Sequence, residues 1–355
     1  MSLKIYKNTK VFIISPGKKK TGGVEGLHQL AYELRENTGI DTYIYYYPYL
    51  SQIVQEEYKD YNVSIADYIE DTSVNILIIP EIYIRHKILN NFNNIRIIIW
   101  WLSIDNYFSG VPYFKKHFFC HRFINKLGSR LLGYPVFDMN VLLQRRIKRY
   151  GYLIKKEAVI QRTCCHLVQS YYARNYLIKK AGINEDIVKE LYDYLNKSFL
   201  EERYEIADKE NLVVFNYKKG YSFTQRIIKN TPDIKFVPLV NMSRKQVVEV
   251  LKKAKVYIDF GHHPGKDRPP REAAILGCCI ITGKKGSADY FEDVPIPEEY
   301  KFDERNKNIP YITEKIKDCI NNYQIRIKDF ENYRRIIKQE RSKFIHQIQD
   351  LFYIT

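Results

Sequence analysis

Short apolar runs alternate with amphipathic segments along most of the chain. Nine runs have the length and continuous apolar character of buried strands: residues 11–15, 42–47, 76–80, 95–101, 166–170, 212–216, 235–239, 256–260 and 278–282. Strands of this kind are covered by helices on both faces, so the pattern predicts parallel sheets. The fold class that follows is α/β.

Helical spacing of apolar positions fills the intervals between these runs. It predicts helices at residues 24–36, 51–58, 82–92, 171–180, 223–229, 243–254 and 271–276, and a long basic helical tail over 312–352. The segment 105–151 instead combines aromatic and basic residues with glycine and proline turns. We interpret it as a helical insertion, about 105–160, that decorates the first sheet.

A chain of 355 residues is too long for one ordinary core and suits two domains. The charged segment 184–211 shows no strand pattern and is the best candidate for the connection between them. We therefore predict a first domain over 1–185, a second domain over 186–335 and a terminal helix over 336–355.

The charge of the chain is strongly unbalanced, since 57 Lys and Arg against 41 Asp and Glu give +16. This excess favours a polyanion, an anionic membrane surface or a phosphorylated ligand, and it cannot choose among the three. The 31 Tyr and 18 Phe suit stacking on bases or sugars, and the same usage is typical of AT-rich genomes. A nucleic-acid-binding protein is therefore kept as an alternative.

The six cysteines lack the spacing of a zinc site, and four of them form two adjacent pairs: Cys120, Cys164, Cys165, Cys278, Cys279 and Cys319. No apolar stretch approaches the roughly 20 residues that a membrane span needs. Residues 1–14 do not resemble a signal peptide. We expect a cytoplasmic protein with reduced thiols.

The loop between the first strand and the first helix carries lysines at 18–20 and the glycines Gly22 and Gly23. Backbone amides and the positive end of a helix favour a phosphate or a developing anion there. An ordinary turn with solvated lysines explains the pattern equally well. Glu25 and His28 lie in the first helical turns as candidate general bases, with capping or solvated side chains as the alternative.

The densest cluster of polar residues follows the strand at 256–260, at the end where open parallel sheets bind ligands. Its candidate binding residues are His263, Gly265, Lys266, Asp267, Arg268, Arg271 and Glu272. We predict that the cations bind a diphosphate and that Glu272, at the start of a helix, binds vicinal hydroxyls such as those of a ribose. The adjacent His262 and His263 do not indicate a metal site, because neighbouring side chains diverge and the cations repel a divalent ion.

The segment 271–283 resembles the Glu-Ala-x-x-x-Gly-x-Pro-Val-Ile-x-(Ser/Thr) element of GT-B nucleotide-sugar glycosyltransferases, those of families 1 and 4 in particular. It reads Arg-Glu-Ala-Ala-Ile-Leu-Gly-Cys-Cys-Ile-Ile-Thr-Gly, and Glu272 matches the glutamate that binds the ribose. Residues 216–220, with Lys218, Lys219 and Gly220, occupy the place of the family's phosphate-binding segment. Residues 166–177 are similar to the element that closes its first domain.

The resemblance implies two Rossmann-like domains facing each other across a cleft, with the C-terminal helix crossing back to the first. It implies a nucleoside-diphosphate sugar of UDP, GDP or dTDP type on the second domain and an acceptor on the first. We expect no catalytic divalent ion, because Lys218, Lys219, Lys266 and Arg268 can take its place at the departing diphosphate. Family 4 enzymes carry a second glutamate eight residues before Glu272, and here that position is Pro264. The carboxylate that contacts the sugar is then absent, or it comes from Asp267 or Asp259.

Asp105 is the first candidate for a base if the reaction inverts, with Glu25 and His28 behind it. A turn-forming aspartate is the alternative. The basic, aromatic segment 107–152 suits contact with an anionic membrane and a lipid-linked or surface glycan acceptor, as in capsule or lipopolysaccharide synthesis at the inner face of the cytoplasmic membrane. An inactive homologue that only binds the sugar nucleotide is a further alternative, and the resemblance implies no nucleic-acid partner.

Overall fold

The structure, a computed structural model, describes residues 3–17, 19–48, 54–111, 116–131, 136–137 and 139–352. The chain forms two compact units. The first unit comprises Met1–Phe119, Leu143–Tyr194 and Arg341–Thr355, and the second comprises Cys120–Leu142 and Leu195–Glu340. Neither unit is a single continuous segment of the sequence.

Seven parallel strands form the sheet of the first unit, in the order β3-β2-β1-β4-β5-β6-β7. Their bounds are β1 Lys10–Pro16, β2 Asp41–Tyr47, β3 Ser64–Ile65, β4 Ile76–Pro80, β5 Arg96–Trp101, β6 Thr163–Val168 and β7 Val188–Glu190. The central strands β4 and β5 are buried along nearly their whole length, as the continuous apolar runs predict.

The second unit has a sheet of five parallel strands in the order β12-β11-β10-β8-β9. The strands are β8 Glu210–Asn216, β9 Lys235–Leu239, β10 Ala254–Asp259, β11 Cys279–Gly283 and β12 Lys301–Phe302. The chain leaves β8 to one side for β9 and returns to the other side for β10. The order of the strands therefore reverses between β8 and β10, which places a ligand-binding crevice at that edge in folds of this kind.

The α-helices lie between and after the strands. They are α1 Gly22–Thr38, α2 Ile104–Gly110, α3 Phe119–Leu131, α4 Met139–Tyr150, α5 Ala158–Gln161, α6 Tyr171–Tyr176, α7 Lys197–Leu200, α8 Tyr221–Lys229, α9 Arg244–Lys253, α10 Arg268–Ile275, α11 Ile309–Asn321, α12 Tyr323–Arg326 and α13 Glu331–Leu351. Side-chain caps fix several N-termini, including a reciprocal capping box between Ser243 and Gln246 at α9. Within the described part of the chain, no helix is long and apolar enough to cross a bilayer.

Short 3-10 segments and one π segment complete the architecture. The 3-10 segments are Glu56–Tyr61, Glu81–Tyr83, Lys87–Asn91, Gly151–Lys156, Glu185–Ile187, Ile206–Asp208, Ser287–Asp289, Glu298–Tyr300, Asn306–Asn308 and Ile327–Phe330, and Leu177–Ala181 is the π segment. The helix predicted at 82–92 is thus two separate 3-10 turns. Part of the helix predicted at 51–58 lies outside the described residues, and its described end is a 3-10 segment.

The two parallel sheets confirm the predicted α/β class. The bounds of the two units differ from the predicted domain bounds. The boundary predicted after residue 185 falls inside the first unit, because β7 pairs with β6 there. The predicted insertion, about 105–160, is divided, since residues 120–142 belong to the second unit. The last half of α13 packs into the first unit, where Phe344, Ile348 and Leu351 join its core.

Candidate functional site

The candidate site lies at the carboxyl edge of the second sheet, where the loops that follow β8, β10, β11 and β12 meet. Two glycines define its centre. Gly220, after β8, has φ +56°, and Gly261, after β10, has φ +107°, both in the left-handed region. A Cβ on Gly220 would lie 2.4 Å from the carbonyl carbon and oxygen of Phe260. The two loops therefore touch backbone to backbone at the reversal of the strand order.

Lys219, predicted as a phosphate-binding cation, is the hub of a buried ionic cluster. Its ammonium contacts the carboxylate of Asp267 and lies 3.7 Å from that of Asp259. Burial alone would lower the pKa of Lys219, but the two carboxylates raise it above its usual value. The charge of the Lys219 ammonium is thus matched by two protein carboxylates.

Asp259, at the end of β10, is held by further donors. The Tyr257 hydroxyl donates to its Oδ2 at 3.0 Å, and the Asn216 amide donates to the same oxygen at 3.4 Å. Burial together with Asp259 raises the pKa of Tyr257 well above its usual value, so this phenol stays a donor. The carboxylate is fully buried and acts as the fixed counter-ion of the cluster.

His263 was predicted to contact the ligand, and the structure instead buries its side chain completely. Its Nδ1 lies 3.1 Å from Asp267 and its Nε2 lies 3.7 Å from Asp259. Burial alone would raise the pKa of Asp267, but Lys219 and His263 hold it below its usual range. The backbone of His263 forms a parallel bridge with Gly286, which ties the loop after β10 to the loop after β11.

Lys266 and Arg271 were predicted to bind a diphosphate, and the structure corrects that assignment. Both side chains are buried and pair with one carboxylate of α13: Lys266 Nζ lies 2.9 Å from Glu340 Oε1, and Arg271 Nη1 lies 2.9 Å from Glu340 Oε2. Arg271 also donates to the Lys266 carbonyl at 2.9 Å. Arg271 thus holds α10 against α13, and Lys266 does the same for the loop before α10, because a buried charge is stable only when it is paired.

Glu272 was predicted at the start of a helix, and it lies in the second turn of α10. The helix begins earlier because prolines at its first positions preset the helical φ. Asp267 is the N-cap residue but makes no side-chain capping bond, since its carboxylate serves Lys219 and His263. Glu272 and Arg268 are both partly exposed on this helix, and Lys218 is exposed after β8. These three charged side chains reach the surface of the edge, where Lys219 and Asp267 are also partly exposed, at 12% and 19%, but pair with each other.

Ser287, after β11, and Glu304, after β12, tie two further elements of the edge to the loop after β10. The Ser287 hydroxyl donates to the Gly265 carbonyl, which closes the loop after β10. Glu304, after β12, accepts a hydrogen bond from the Gly261 amide at 2.6 Å, and its other oxygen pairs with Lys285 at 2.5 Å. Sequence reasoning missed Glu304, because β12 has only two residues and shows no strand pattern. Its carboxylate fixes the peptide at the centre of the site.

The predicted candidates on α1 have mostly structural roles in the first unit. Gly22 and Gly23 begin α1, capped by Thr21, and a Cβ on Gly23 would meet Leu102 at 3.3 Å. Lys18, in the same predicted loop, lies outside the described residues. The glycines therefore allow the close approach of α1 to the end of β5, while a phosphate at this loop stays a prediction.

His28 and Glu25 do not face an open surface, contrary to their prediction as general bases. His28 is fully buried; its Nδ1 donates to the Val24 carbonyl at 2.8 Å, and its Nε2 lies 2.7 Å from the Tyr46 hydroxyl. Burial lowers the pKa of His28, so the ring is neutral. Glu25 is also buried and accepts a hydrogen bond from the Tyr61 hydroxyl at 3.1 Å.

Asp105, the first candidate base, lies in the first turn of α2 directly after β5. It is buried, and the Gln144 side-chain amide donates to its Oδ1 at 2.7 Å. This contact ties α2 to α4. The catalytic role of Asp105 stays a prediction.

Glu81 is a buried carboxyl that the sequence analysis did not identify. It lies close to α2, the helix that contains Asp105. It follows β4, and its Oε2 accepts the Leu102 amide at 3.0 Å. Burial raises its pKa to about 7, because the hydrogen bonds from Leu102, Asn106 and Ser103 offset only part of the lost hydration. This carboxyl therefore titrates near neutral pH at the carboxyl edge of the first sheet.

The raised pKa of Glu81 predicts a pH-dependent stability of the first unit. Between pH 4.5 and about 7 the folded state holds a proton that the unfolded state has lost, so the free energy of unfolding falls as pH rises. The expected loss is about 3 kcal/mol. Glu81→Gln should flatten this slope in urea titrations from pH 4 to 8. The exposed Asp41→Asn should leave it unchanged, and an identical slope in both variants would contradict the assignment.

Among the described residues, no group of three or more His, Cys, Asp or Glu side chains is arranged to hold a metal ion. The six cysteines carry free thiols. Independence from a metal ion stays a prediction.

Comparison with known proteins relates the fold to solved structures. No protein-family model and no curated protein matches the sequence. A glycosyltransferase from Rickettsia africae ESF-5 matches with a TM-score of 0.59 at 12% identity, covering 99% of this chain and 100% of that chain. Anabaena Alr3699/HepE, in complex with UDP, matches with a TM-score of 0.59 at 10% identity, over 96% of this chain and 98% of that chain.

A third solved structure with this fold is a domain of a phosphatase. The N-terminal domain of Candida albicans trehalose-6-phosphate phosphatase gives a TM-score of 0.56 at 9% identity, covering 98% of each chain. Similarity at these identities shows the fold alone. It confirms the predicted resemblance to GT-B glycosyltransferases and the predicted architecture of two Rossmann-like units.

Proposed function

We propose that this chain, whose fold is that of the GT-B glycosyltransferases, transfers a sugar from a nucleoside-diphosphate sugar to a glycan or lipid-linked acceptor. The observation that supports this most is the glycine contact between Gly220 and the Phe260–Gly261 peptide, at the reversal of strand order in the second sheet. Because glycines carry no side chain, the main chain at this edge stays accessible to a ligand. Ligands of open parallel sheets bind at the carboxyl ends of the strands, which is where this contact lies.

The diphosphate is assigned to the N-terminus of α8, directly after Gly220. Gly220 has no side chain to cap this helix, so the amides of the first turn and the positive helix end suit an anion. Lys218 and Arg268 supply side-chain cations at the same edge. The charge of Lys219 is matched by Asp259 and Asp267, so its role is to hold the loop before α8 in place and not to bind the diphosphate directly.

Glu272 is assigned to the ribose, since a partly exposed carboxylate accepts hydrogen bonds from two vicinal hydroxyls. UDP is the nucleotide to test first, because the Anabaena protein with this fold was crystallised with UDP and with UDP-glucose. The acceptor is assigned to the first unit, and the pathway proposed is surface polysaccharide synthesis in the cytoplasm or at the inner face of the membrane.

A thermal-shift panel of UDP, GDP, ADP, dTDP and CMP tests the donor site. A ligand at about 100 times its Kd stabilises the folded state by about 2.7 kcal/mol, so one diphosphate is expected to raise Tm by several degrees. Glu272→Ala should abolish that shift. The matched control is Glu249→Ala, which removes an exposed carboxylate from α9 and should leave the shift intact. The absence of a shift with every nucleotide would contradict the proposal.

A measurement of turnover distinguishes a transferase from an inactive homologue and from a nucleic-acid-binding protein. Slow hydrolysis of the matching UDP-sugar by the purified protein would distinguish a transferase from an inactive homologue that binds the donor. Salt-sensitive retention on duplex or single-stranded nucleic acid, without any nucleotide shift, would instead favour the nucleic-acid-binding alternative.

A further inference from the structure

Helix α3 (Phe119–Leu131) exposes an apolar stripe formed by Phe119, Phe123, Leu127 and Leu131. Its members are spaced four residues apart and therefore lie along one side of the helix. They are strongly exposed: Phe119 68%, Phe123 63%, Leu127 49% and Leu131 73%, with Ile124 beside them at 40%. Exposed apolar side chains are common singly, but a continuous row over three turns marks an interaction surface.

The opposite side of α3 is the one that packs against protein. Phe118, just before the helix, is buried, and Gly128 is buried on the same side. Asn125 makes two hydrogen bonds with the backbone of Phe137, at 2.7 Å through its amide nitrogen and at 2.6 Å through its oxygen. The stripe is thus not a core face, since the helix directs its polar Asn125 inward and its apolar residues outward.

Cations follow one flank of the stripe. Arg122, Lys126 and Arg130 are also spaced four residues apart, each one position before a member of the stripe, and all three are exposed. Residues 106–156 of the sequence contain eleven Lys and Arg and a single acidic residue, Asp138. A basic segment with a single acidic residue is complementary to a surface of uniform negative charge.

We propose that the apolar stripe of α3 inserts into the headgroup region of an anionic lipid bilayer, with Arg122, Lys126 and Arg130 on the lipid phosphates. The helix has 13 residues, about 20 Å, so it suits an orientation in the plane of the interface. A lipid surface accommodates both features together: apolar side chains enter the acyl boundary, while each nearby cation gains from the negative surface potential. The proposal is independent of the donor site and of the transferase assignment.

Vesicle flotation with the full chain tests the stripe. The protein is expected to float with vesicles of phosphatidylglycerol and phosphatidylcholine in equal parts, and far less with phosphatidylcholine alone. Phe123→Ser with Leu127→Ser should lower the partition coefficient for anionic vesicles about tenfold or more, because two buried apolar side chains are lost. The control Ile325→Ser removes a side chain that is 64% exposed elsewhere on the second unit and should change nothing.

A second set of variants tests the cations. Arg122→Gln, Lys126→Gln and Arg130→Gln together should weaken binding about 100-fold at low salt. Lys229→Gln, Lys235→Gln and Lys253→Gln change the net charge equally at exposed positions outside α3 and should have a much smaller effect. All these positions are exposed, so Tm should stay within about 2 °C of the parent protein and report intact folding.

Three results would overturn the proposal. The first is equal binding of the parent protein to anionic and neutral vesicles. The second is an equal loss of binding in the two triple variants, which would show that net charge alone attracts the protein. The third is a dimer in solution that Phe123→Ser and Leu127→Ser convert to a monomer, because the stripe would then bind a second copy of the chain.

Discussion

Replacing Glu340 with alanine is expected to lower the free energy of unfolding of the second unit by about 3 to 5 kcal/mol. Glu340 is the carboxylate that both Lys266 and Arg271 contact at 2.9 Å, and all three side chains are buried. Without Glu340, two buried cations lose the carboxylate that offsets the free energy of their lost hydration. Hydrogen exchange of the β10 and β11 amides measures the effect locally.

Two further variants make the Glu340 prediction specific. Glu331→Ala removes an exposed carboxylate from the first turn of the same helix and should cost at most about 1 kcal/mol. Adding Arg271→Met to Glu340→Ala should recover part of the lost stability, because it removes one of the two cations. A double variant less stable than Glu340→Ala alone would contradict the account of this contact.

Gly220→Ala is the second change with a large expected effect, about 3 kcal/mol or more of lost stability together with loss of the UDP-induced thermal shift. The new Cβ would lie 2.4 Å from the Phe260 carbonyl, and the left-handed φ of +56° adds strain. Since main chain is on both sides of the contact, neither loop can yield by a side-chain rotation. The peptides that define the centre of the site must move apart.

Gly39→Ala is the matched control for this prediction. Gly39 has φ +69° at the end of α1, and a Cβ there would meet nothing within 4 Å. Gly39→Ala should lower the free energy of unfolding by the left-handed strain alone, about 1 to 2 kcal/mol, and should leave nucleotide binding unchanged. Urea denaturation and the thermal-shift assay are run on both variants. Equal destabilisation of the two would mean that the contact with Phe260 carries no penalty.

Strands whose apolar runs are continuous were predictable to within a few residues at either end. The predicted run 76–80 is β4 itself, and the run 235–239 is β9. The edge strands β3, β7 and β12 were not predicted, because each has only two or three residues and no apolar run. Neighbouring strands impose their extended form through ladder hydrogen bonds, which is tertiary information that a local pattern does not contain.

The position of the candidate site was predictable, but the roles of its charged residues were only partly so. A glycine-rich loop after a buried strand indicated the carboxyl edge correctly. Lys266 and Arg271 look like ligand-binding cations in the sequence because their partner, Glu340, lies on the last helix, far along the chain. No spacing rule connects residues so distant, so the structure is needed to tell a structural ion pair from a free cation.

His28 shows the reverse case, in which a signal existed and was not used. Val24, His28 and Ala31 follow helical spacing and share one face of α1, so the apolar neighbours indicated that the ring is buried. The polar type of the residue suggested chemistry instead. Its hydrogen bonds to the Val24 carbonyl and the Tyr46 hydroxyl satisfy both nitrogens and explain how a histidine fits there.

Helix α13 has a consequence for the order in which the chain acquires its structure during synthesis on the ribosome. Its first half, through Glu340, belongs to the second unit, and its last half supplies Phe344, Ile348 and Leu351 to the core of the first. The ribosome makes those residues after every segment of the second unit. The first unit, whose synthesis starts first, is therefore the one that is completed last. A chain truncated after Glu340 would contain every segment of the second unit and would lack part of the core of the first.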